Sequence, residues 1–164
     1  MGIRDELIDA NDAYAAEFTL GGFPARPVRR FAVVTCMDAR LDPMAFLGLR
    51  PGDAHVLRNA GGVVSDDVLR SLAVSHGVLG TREAFVIAHT NCGMQRFTDD
   101  EIRAHLAEQP GVDPGGVEFL AFADLEESVR ASLRRIRESR LLPDSFGATG
   151  LVYDTATGRI STVD

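Results

Sequence analysis

The apolar residues at the N-terminal end of this chain follow a helical pattern. They recur at every third or fourth position from residue 3 to residue 18, which predicts an amphipathic N-terminal helix over that range. The apolar positions of this helix are Ile3, Leu7, Ala10, Tyr14 and Phe18. The segment GGFPARP at 21–27 then carries two glycines and two prolines, which end the helical pattern.

Three short apolar runs have the composition of strands that are buried on both faces. They are FAVVT at 31–35, AHVLRN at 54–59 and AFVIAH at 84–89. Between the second and third runs, SDDVLRSLAVSHGVLG has an N-cap at Ser65 and ends near Gly80, so it predicts a crossover helix. The order strand, helix, strand implies parallel pairing, and sites in parallel sheets lie at the carboxyl ends of the strands.

The second half of the chain predicts two more helices and a β-structured end. A capping box, TDDE at 98–101, opens a short helix, and 124–139 forms a longer one. The last 17 residues form two β-runs around a TATG turn, as in a hairpin. We therefore predict one α/β domain over 1–164, with a predominantly parallel central sheet flanked by helices and a C-terminal hairpin-like edge.

Charge and composition narrow the classes of partner. The 164 residues include 17 basic and 24 acidic side chains, and a net charge of -7 opposes binding to phosphate backbones and anionic lipids. The longest apolar run is far shorter than the roughly 18 residues needed to cross a bilayer. The N-terminus lacks the basic start and apolar core of a signal peptide. These features predict a soluble cytoplasmic protein that binds neither nucleic acid nor membranes.

Polar side chains directly follow two of the predicted strands. Cys36, Asp38 and Arg40 occupy alternate positions after FAVVT, while His89 and Cys92 follow AFVIA. Because parallel strands end at one edge of the sheet, we expect the two thiols and the imidazole to converge there. Such a ligand set suits Zn²⁺, and three protein ligands leave one coordination position open, as in catalytic zinc sites.

An acid and a fixed positive charge accompany this thiol and imidazole set. A carboxylate at Asp38 could orient a zinc ligand or occupy the open position itself, and bidentate pairing with Arg40 would favour the first arrangement. By itself, D-x-R is equally typical of an ordinary ion pair. A phosphatase loop starting at Cys36 is excluded because Asp42 stands where its arginine belongs. The glycine-rich segment RNAGG at 58–62 lacks the spacing of a phosphate-binding loop, and we expect it instead to let the backbone approach the site.

Taken together, these motifs resemble the β-class carbonic anhydrases, and in particular a short bacterial subgroup of mycobacterial type. The resemblance rests on C-x-D-x-R, RNAGG and H-T-x-C-G, and the last of these ends at Gly93. It implies that Cys36, His89 and Cys92 hold one Zn²⁺ per subunit. It also implies that Asp38 is oriented by its arginine partner and becomes a fourth ligand in a closed state.

The same resemblance implies a substrate pocket, an assembly and an activity. Gly93 would line the pocket; Val63 could supply an apolar wall, although core packing explains it equally well. The implied assembly is a homodimer or homotetramer in which the N-terminal helix packs on a dimer partner. The implied activity is reversible hydration of carbon dioxide to bicarbonate and a proton through a zinc-bound hydroxide.

Two main alternatives to this activity stay open at the level of sequence, and a cysteine-dependent hydrolase is a more distant third. Hydrolases of carbonyl sulfide and carbon disulfide also resemble this family, so the same site could act on those substrates. A non-catalytic zinc-binding regulatory module is the other alternative. The presence of both Asp38 and Arg40 argues against it, because a purely structural zinc site has no use for an orienting pair.

Overall fold

A single five-stranded sheet organises the computed structural model, which describes residues 2–164. Its strands are β1 (Phe31–Cys36), β2 (His55–Asn59), β3 (Glu83–His89), β4 (Gly147–Tyr153) and β5 (Ile160–Val163). Their spatial order is β2-β1-β3-β4-β5; the first four are parallel, and β5 runs antiparallel to β4. The predicted α/β fold with a hairpin-like C-terminal edge is confirmed.

The described residues form five α-helices. They are α1 (Ile3–Ala16), α2 (Pro43–Phe46), α3 (Asp66–Gly77), α4 (Asp99–Ala107) and α5 (Leu125–Arg137). Helices α3 and α5 begin one residue later than predicted, because Ser65 and Asp124 are N-cap residues with an extended backbone. Their side chains accept backbone N–H groups of the first helical turn. The short α2 was not predicted, since four residues are too few to show a periodicity.

The two faces of the sheet pack against different layers. All six residues of β1 are buried, and successive side chains alternate between the faces. On one face, Val34 and Val86 belong to a large apolar core with residues of α3 and α5. On the other face, Val33 and Ile87 pack with residues from α2 and the loop after it. This burial on both faces explains why β1 and β3 have nearly continuous apolar sequences. The expectation of burial on both faces is wrong for β2, in which no residue is fully buried, because β2 is an edge strand with a neighbouring strand on one side only.

The N-terminal helix stands apart from this core. None of the residues of α1 is buried, and Ile3 and Leu7 are 71% and 64% exposed. Within residues 2–164, no helix is long and apolar enough to cross a membrane. The apolar stripe of α1 is therefore an exposed surface of the single chain.

Candidate metal centre

Two neighbouring parallel strands bring a thiol and an imidazole to one edge of the sheet. Cys36 is the last residue of β1, and His89 is the last residue of β3. Cys92 follows three residues later, where it precedes a short 3₁₀ turn. The ligand atoms of these three side chains all lie within 4.8 Å of one another, and all three residues are buried.

The hydrogen bonding of His89 leaves one ring nitrogen free. Nδ1 lies 2.9 Å from the carbonyl oxygen of Thr90, and since a carbonyl only accepts, Nδ1 carries the proton in the neutral ring. Nε2 is then a lone-pair donor, and among residues 2–164 it is the buried side-chain nitrogen or oxygen that lacks a hydrogen-bond partner. A metal ion would satisfy this atom, so the residues present fit a Cys-His-Cys zinc site.

The two thiols differ in acidity. Burial raises the pKa of Cys36, but the neighbouring His89 and the backbone N–H groups of Asp38 and Gly61 outweigh it and lower that pKa to about 7. Burial raises the pKa of Cys92 to about 11, and negative charge on Cys36 adds to the increase. The chain alone therefore stabilises one thiolate, whereas a divalent cation would deprotonate both thiols.

Beside these side chains, Asp38 and Arg40 form a bidentate ion pair. Arg40 Nε and Nη2 donate to Asp38 Oδ1 and Oδ2 at 2.9 and 2.7 Å, and Arg40 Nη2 also donates to the Asn91 carbonyl at 3.0 Å. These bonds hold the pKa of Asp38 well below its usual range. Asp38 Oδ2 is 3.8 Å from His89 Nε2, so an ionised carboxylate lies next to the thiol and imidazole set.

Arg58 fixes the backbone at the end of β1 and just after it, and the sequence analysis gave this residue no role. Its Nε donates to the Cys36 carbonyl at 2.9 Å, and its Nη2 donates to the Asp38 carbonyl at 2.8 Å. The residue is the arginine of RNAGG, a segment expected only to let the backbone approach the site. Its position at the end of β2, adjacent to β1, was the signal that could have identified it.

Gly62 allows that close approach of the backbone. Its φ is +66°, and a Cβ atom there would lie 2.7 Å from the Cys36 backbone nitrogen. Both constraints favour glycine, because the left-handed conformation and the contact each penalise a side chain. The expected role of RNAGG, to bring backbone close to the site, has a structural basis at this residue.

Gly62→Ala is therefore expected to destabilise the protein by about 3 kcal/mol, through left-handed strain together with overpacking. The matched control is Gly116→Ala, because Gly116 has a φ of +72° but no atom within 4 Å of the added Cβ. Strain alone predicts a loss of about 1 kcal/mol there. Urea unfolding measures both variants, and equal losses would show that the contact with Cys36 is unimportant.

Apolar side chains also pack against the two thiols, and the sequence analysis did not predict them. Met94 and Phe122 pack against the buried cluster of Cys36, Leu41 and Cys92. Phe122 comes from a loop far along the chain, so periodicity gave no indication that it lies here. This apolar wall provides an environment that excludes water from part of the site.

Asp99 holds the loop that carries Phe122. Its carboxylate accepts the backbone N–H groups of Phe119, Leu120 and Ala121 at 2.8, 3.3 and 2.8 Å. The bond from Ala121 is the largest cause that keeps the pKa of Asp99 below its ordinary value. Leu120 adopts a left-handed φ of 59° within this loop. The acid at the start of α4 thus stabilises an otherwise unfavourable loop conformation.

The two predicted pocket residues lie in or next to two different short 3₁₀ turns. Gly93 begins the 3₁₀ turn directly after Cys92, is exposed, and has open space where a Cβ would stand. Val63 is half-buried, and its backbone N–H and carbonyl both bond the Asn59 side chain, at 3.1 and 2.8 Å. Their roles toward a substrate stay predictions.

Comparisons with known proteins agree on one family. The carbonic anhydrase family model matches residues 31–114. β-Carbonic anhydrase 1 of Mycobacterium tuberculosis is 43% identical over 163 residues, 99% of each chain. A carbon disulfide hydrolase of Acidianus sp. is 34% identical over 156 residues, covering 80% of this chain and 76% of that protein. The crystal structure of a carbonic anhydrase from Streptococcus mutans superposes with a TM-score of 0.94 at 46% identity, covering 100% and 99% of the two chains.

Proposed function

The chain belongs to the β-class carbonic anhydrase family, and on that premise we propose that it catalyses the zinc-dependent, reversible hydration of carbon dioxide to bicarbonate and a proton. The observation that carries the proposal is the buried group of Cys36, His89 and Cys92, with a free lone pair on His89. Three such ligands leave a fourth position of a tetrahedral zinc ion for a reactant, as a catalytic site requires.

In this proposal Cys36, His89 and Cys92 hold the metal. When bound, zinc supplies a Lewis acid that makes a water molecule nucleophilic near neutral pH. The Thr90 carbonyl keeps the proton of His89 on Nδ1, so that the lone pair of Nε2 would be available to hold the metal. This second hydrogen bond is typical of histidine ligands and fixes the orientation of the ring.

Asp38 would orient the nucleophile. Its pKa is held low by Arg40, so the carboxylate is ionised and can only accept a hydrogen bond. Accepting the O–H of the attacking oxygen turns a lone pair of that oxygen toward the substrate, and holding the carboxylate with two bonds to Arg40 preserves this alignment. Gly93 and Val63 are proposed to line the pocket for the small uncharged substrate.

Stopped-flow carbon dioxide hydration, run beside a measurement of zinc content, tests this proposal. We expect one zinc ion per chain and activity that a chelator removes and added zinc restores. Zinc-loaded protein without activity would instead favour a non-catalytic zinc module. Full activity in metal-free protein would contradict the mechanism.

A second candidate is hydrolysis of carbon disulfide or carbonyl sulfide at the same residues. The 34% identity to a carbon disulfide hydrolase supports it. Both substrates are small and uncharged, and attack on carbon by the same oriented oxygen would begin either reaction. Parallel assays of the three substrates on one preparation distinguish the candidates through their kcat/KM values.

We also propose that the chain acts as one domain in a cytoplasmic homodimer or homotetramer. The free thiols of Cys36 and Cys92 support the location, because a reducing compartment keeps buried thiols available for metal. The exposed apolar stripe of α1 supports the assembly. A helix of 14 residues is marginal by itself in water, and a partner subunit would cover its apolar side.

Leu7→Glu is therefore expected to weaken the assembly by placing a charge on that stripe. Light scattering after size exclusion should give the mass of two or four chains for the unmodified protein and a shift toward one chain for the variant. The control is Ala16→Glu, which adds the same charge about half a helical turn away from Leu7 in projection. Equal shifts for both variants would indicate a general charge effect, and no shift for Leu7→Glu would contradict a role for α1.

A further inference from the structure

We propose that Thr155 is a positioning residue of the metal centre, which holds His89 in its ligand orientation through the carbonyl group of Thr90. The inference rests on the zinc site of the proposed function. Thr155 lies in the turn after β4, 66 positions after His89 along the chain, and its hydrogen bonds are to Thr90.

The backbone of Thr90 is anchored to the end of β4. Its N–H donates to the Tyr153 carbonyl at 3.0 Å, which extends the pairing of β3 with β4 by one residue. In return, the backbone N–H of Thr155 donates to Thr90 Oγ1 at 3.0 Å. Hydrogen bonds to the region after β4 therefore constrain both the N–H and the side chain of Thr90.

The two threonine hydroxyl groups complete this arrangement. Thr155 Oγ1 is 3.3 Å from the Thr90 carbonyl, and because the carbonyl can only accept, the Thr155 hydroxyl donates its hydrogen there. Thr90 Oγ1 is 3.1 Å from Thr155 Oγ1 and has its own hydrogen to donate to it. Each hydroxyl then donates once and accepts once, so the network is closed.

The Thr90 carbonyl consequently accepts two hydrogen bonds that constrain its direction. One comes from Thr155 Oγ1 and the other from His89 Nδ1, at 2.9 Å. The His89 side chain is fully buried, so the carbonyl that bonds Nδ1 decides where Nε2 points. A hydroxyl at position 155 thus acts on the ligand geometry across one intervening carbonyl group.

The turn that carries Thr155 has its own support, so that the hydroxyl can be removed without losing the turn. Asp154 Oδ1 accepts the backbone N–H groups of Ala156 and Thr157 at 2.7 and 3.2 Å. The backbone of Asp154 also bonds Gly158 and Arg159, at 2.8 Å each. Thr155→Val, which is isosteric, is therefore expected to fold.

The test measures the zinc dissociation constant of the full chain by competition with a chromophoric chelator. Thr155→Val should bind zinc about 10- to 100-fold more weakly, the size of effect that partners of metal-bound histidines have. Thr155→Ser retains the hydroxyl and should restore affinity close to that of the unmodified protein. Thr157→Val is the matched control, because it removes a hydroxyl from the same turn that bonds only locally, to the N–H of Arg159.

The absorption spectrum of the cobalt(II)-loaded protein gives a second measurement. At equal cobalt occupancy, the ligand-field bands of Thr155→Val should shift relative to those of Thr157→Val, since the position of the imidazole has changed. Unaltered zinc affinity in Thr155→Val, or an equal loss in Thr155→Ser, would overturn the inference. If the unmodified protein binds no zinc, the proposed function itself fails, which is a separate result.

Discussion

Cys92→Ser is expected to leave the protein without retained zinc and without measurable carbon dioxide hydration. The exchange replaces a sulfur ligand with a hydroxyl of nearly the same shape, and a neutral hydroxyl is a poor ligand for zinc compared with a thiolate. Cys92 is only 1% exposed, so no other residue can enter from solvent to take its place without rearrangement. Zinc content after dialysis and stopped-flow hydration are the two measurements.

A control is needed because any change at a buried position can disturb the fold. Ser75→Ala also alters a buried residue, and Ser75 bonds His55 at the opposite end of the sheet from the thiols. It should lose some stability while retaining zinc and activity. Zinc bound by Cys92→Ser at one ion per chain would contradict the proposed ligand set, and loss of zinc in both variants would point to general unfolding.

The second large effect concerns the ion pair beside the metal site. Arg40→Ala should retain zinc but lose at least about 100-fold in kcat, because the orienting carboxylate is no longer held in place. Arg40 supplies two of the hydrogen bonds that constrain Asp38, and Asp38 Oδ2 is only 3.8 Å from His89 Nε2. Once released, the carboxylate can turn to the open coordination position and block it.

One further variant separates the charge of Arg40 from its hydrogen-bond geometry, and a second is a control for the loss of an ion pair. Arg40→Lys keeps the positive charge but loses the bidentate contact, so we expect activity between those of Arg40→Ala and the unmodified protein. Arg70→Ala breaks an exposed ion pair with Asp67 on α3 and should leave kcat unchanged. If Arg40→Ala turns over carbon dioxide at the normal rate with zinc bound, the pair has no orienting role.

Local sequence pattern carried much of the fold. Apolar runs with β-branched residues identified β1, β2 and β3, although β2 lies at the edge of the sheet and not at its centre. The N-cap at Ser65 located the start of the crossover helix to within one residue, whereas the helix ends at Gly77 and not near Gly80. These features are readable because strand burial and helix capping depend on residues close together in the chain. The short α2 was not predicted, because the four residues after its N-cap Asp42 are too few to show a helical periodicity of apolar positions.

The site was partly predictable for a related reason. Parallel strands end at one edge of the sheet, so the residues at and just after the ends of β1 and β3 were expected on the same edge. The structure shows that these two strands are direct neighbours. The distances between the site side chains, the burial of His89 and the free lone pair on its Nε2 did not follow from the spacing of these residues in the sequence. They depend on how the strand ends and the following turns pack in three dimensions.

By itself, the sequence determined the α/β class, the parallel pairing of the strands that carry the site, and the set of thiol, imidazole, acid and guanidinium groups at their carboxyl ends. Only the tertiary structure decided which distant residues support that set: Arg58 on the Cys36 and Asp38 carbonyls, Phe122 on the apolar wall, and Thr155 behind His89. The physical reason is that these contacts join segments far apart in the chain, and no local periodicity records a hydrogen bond or packing contact of that range.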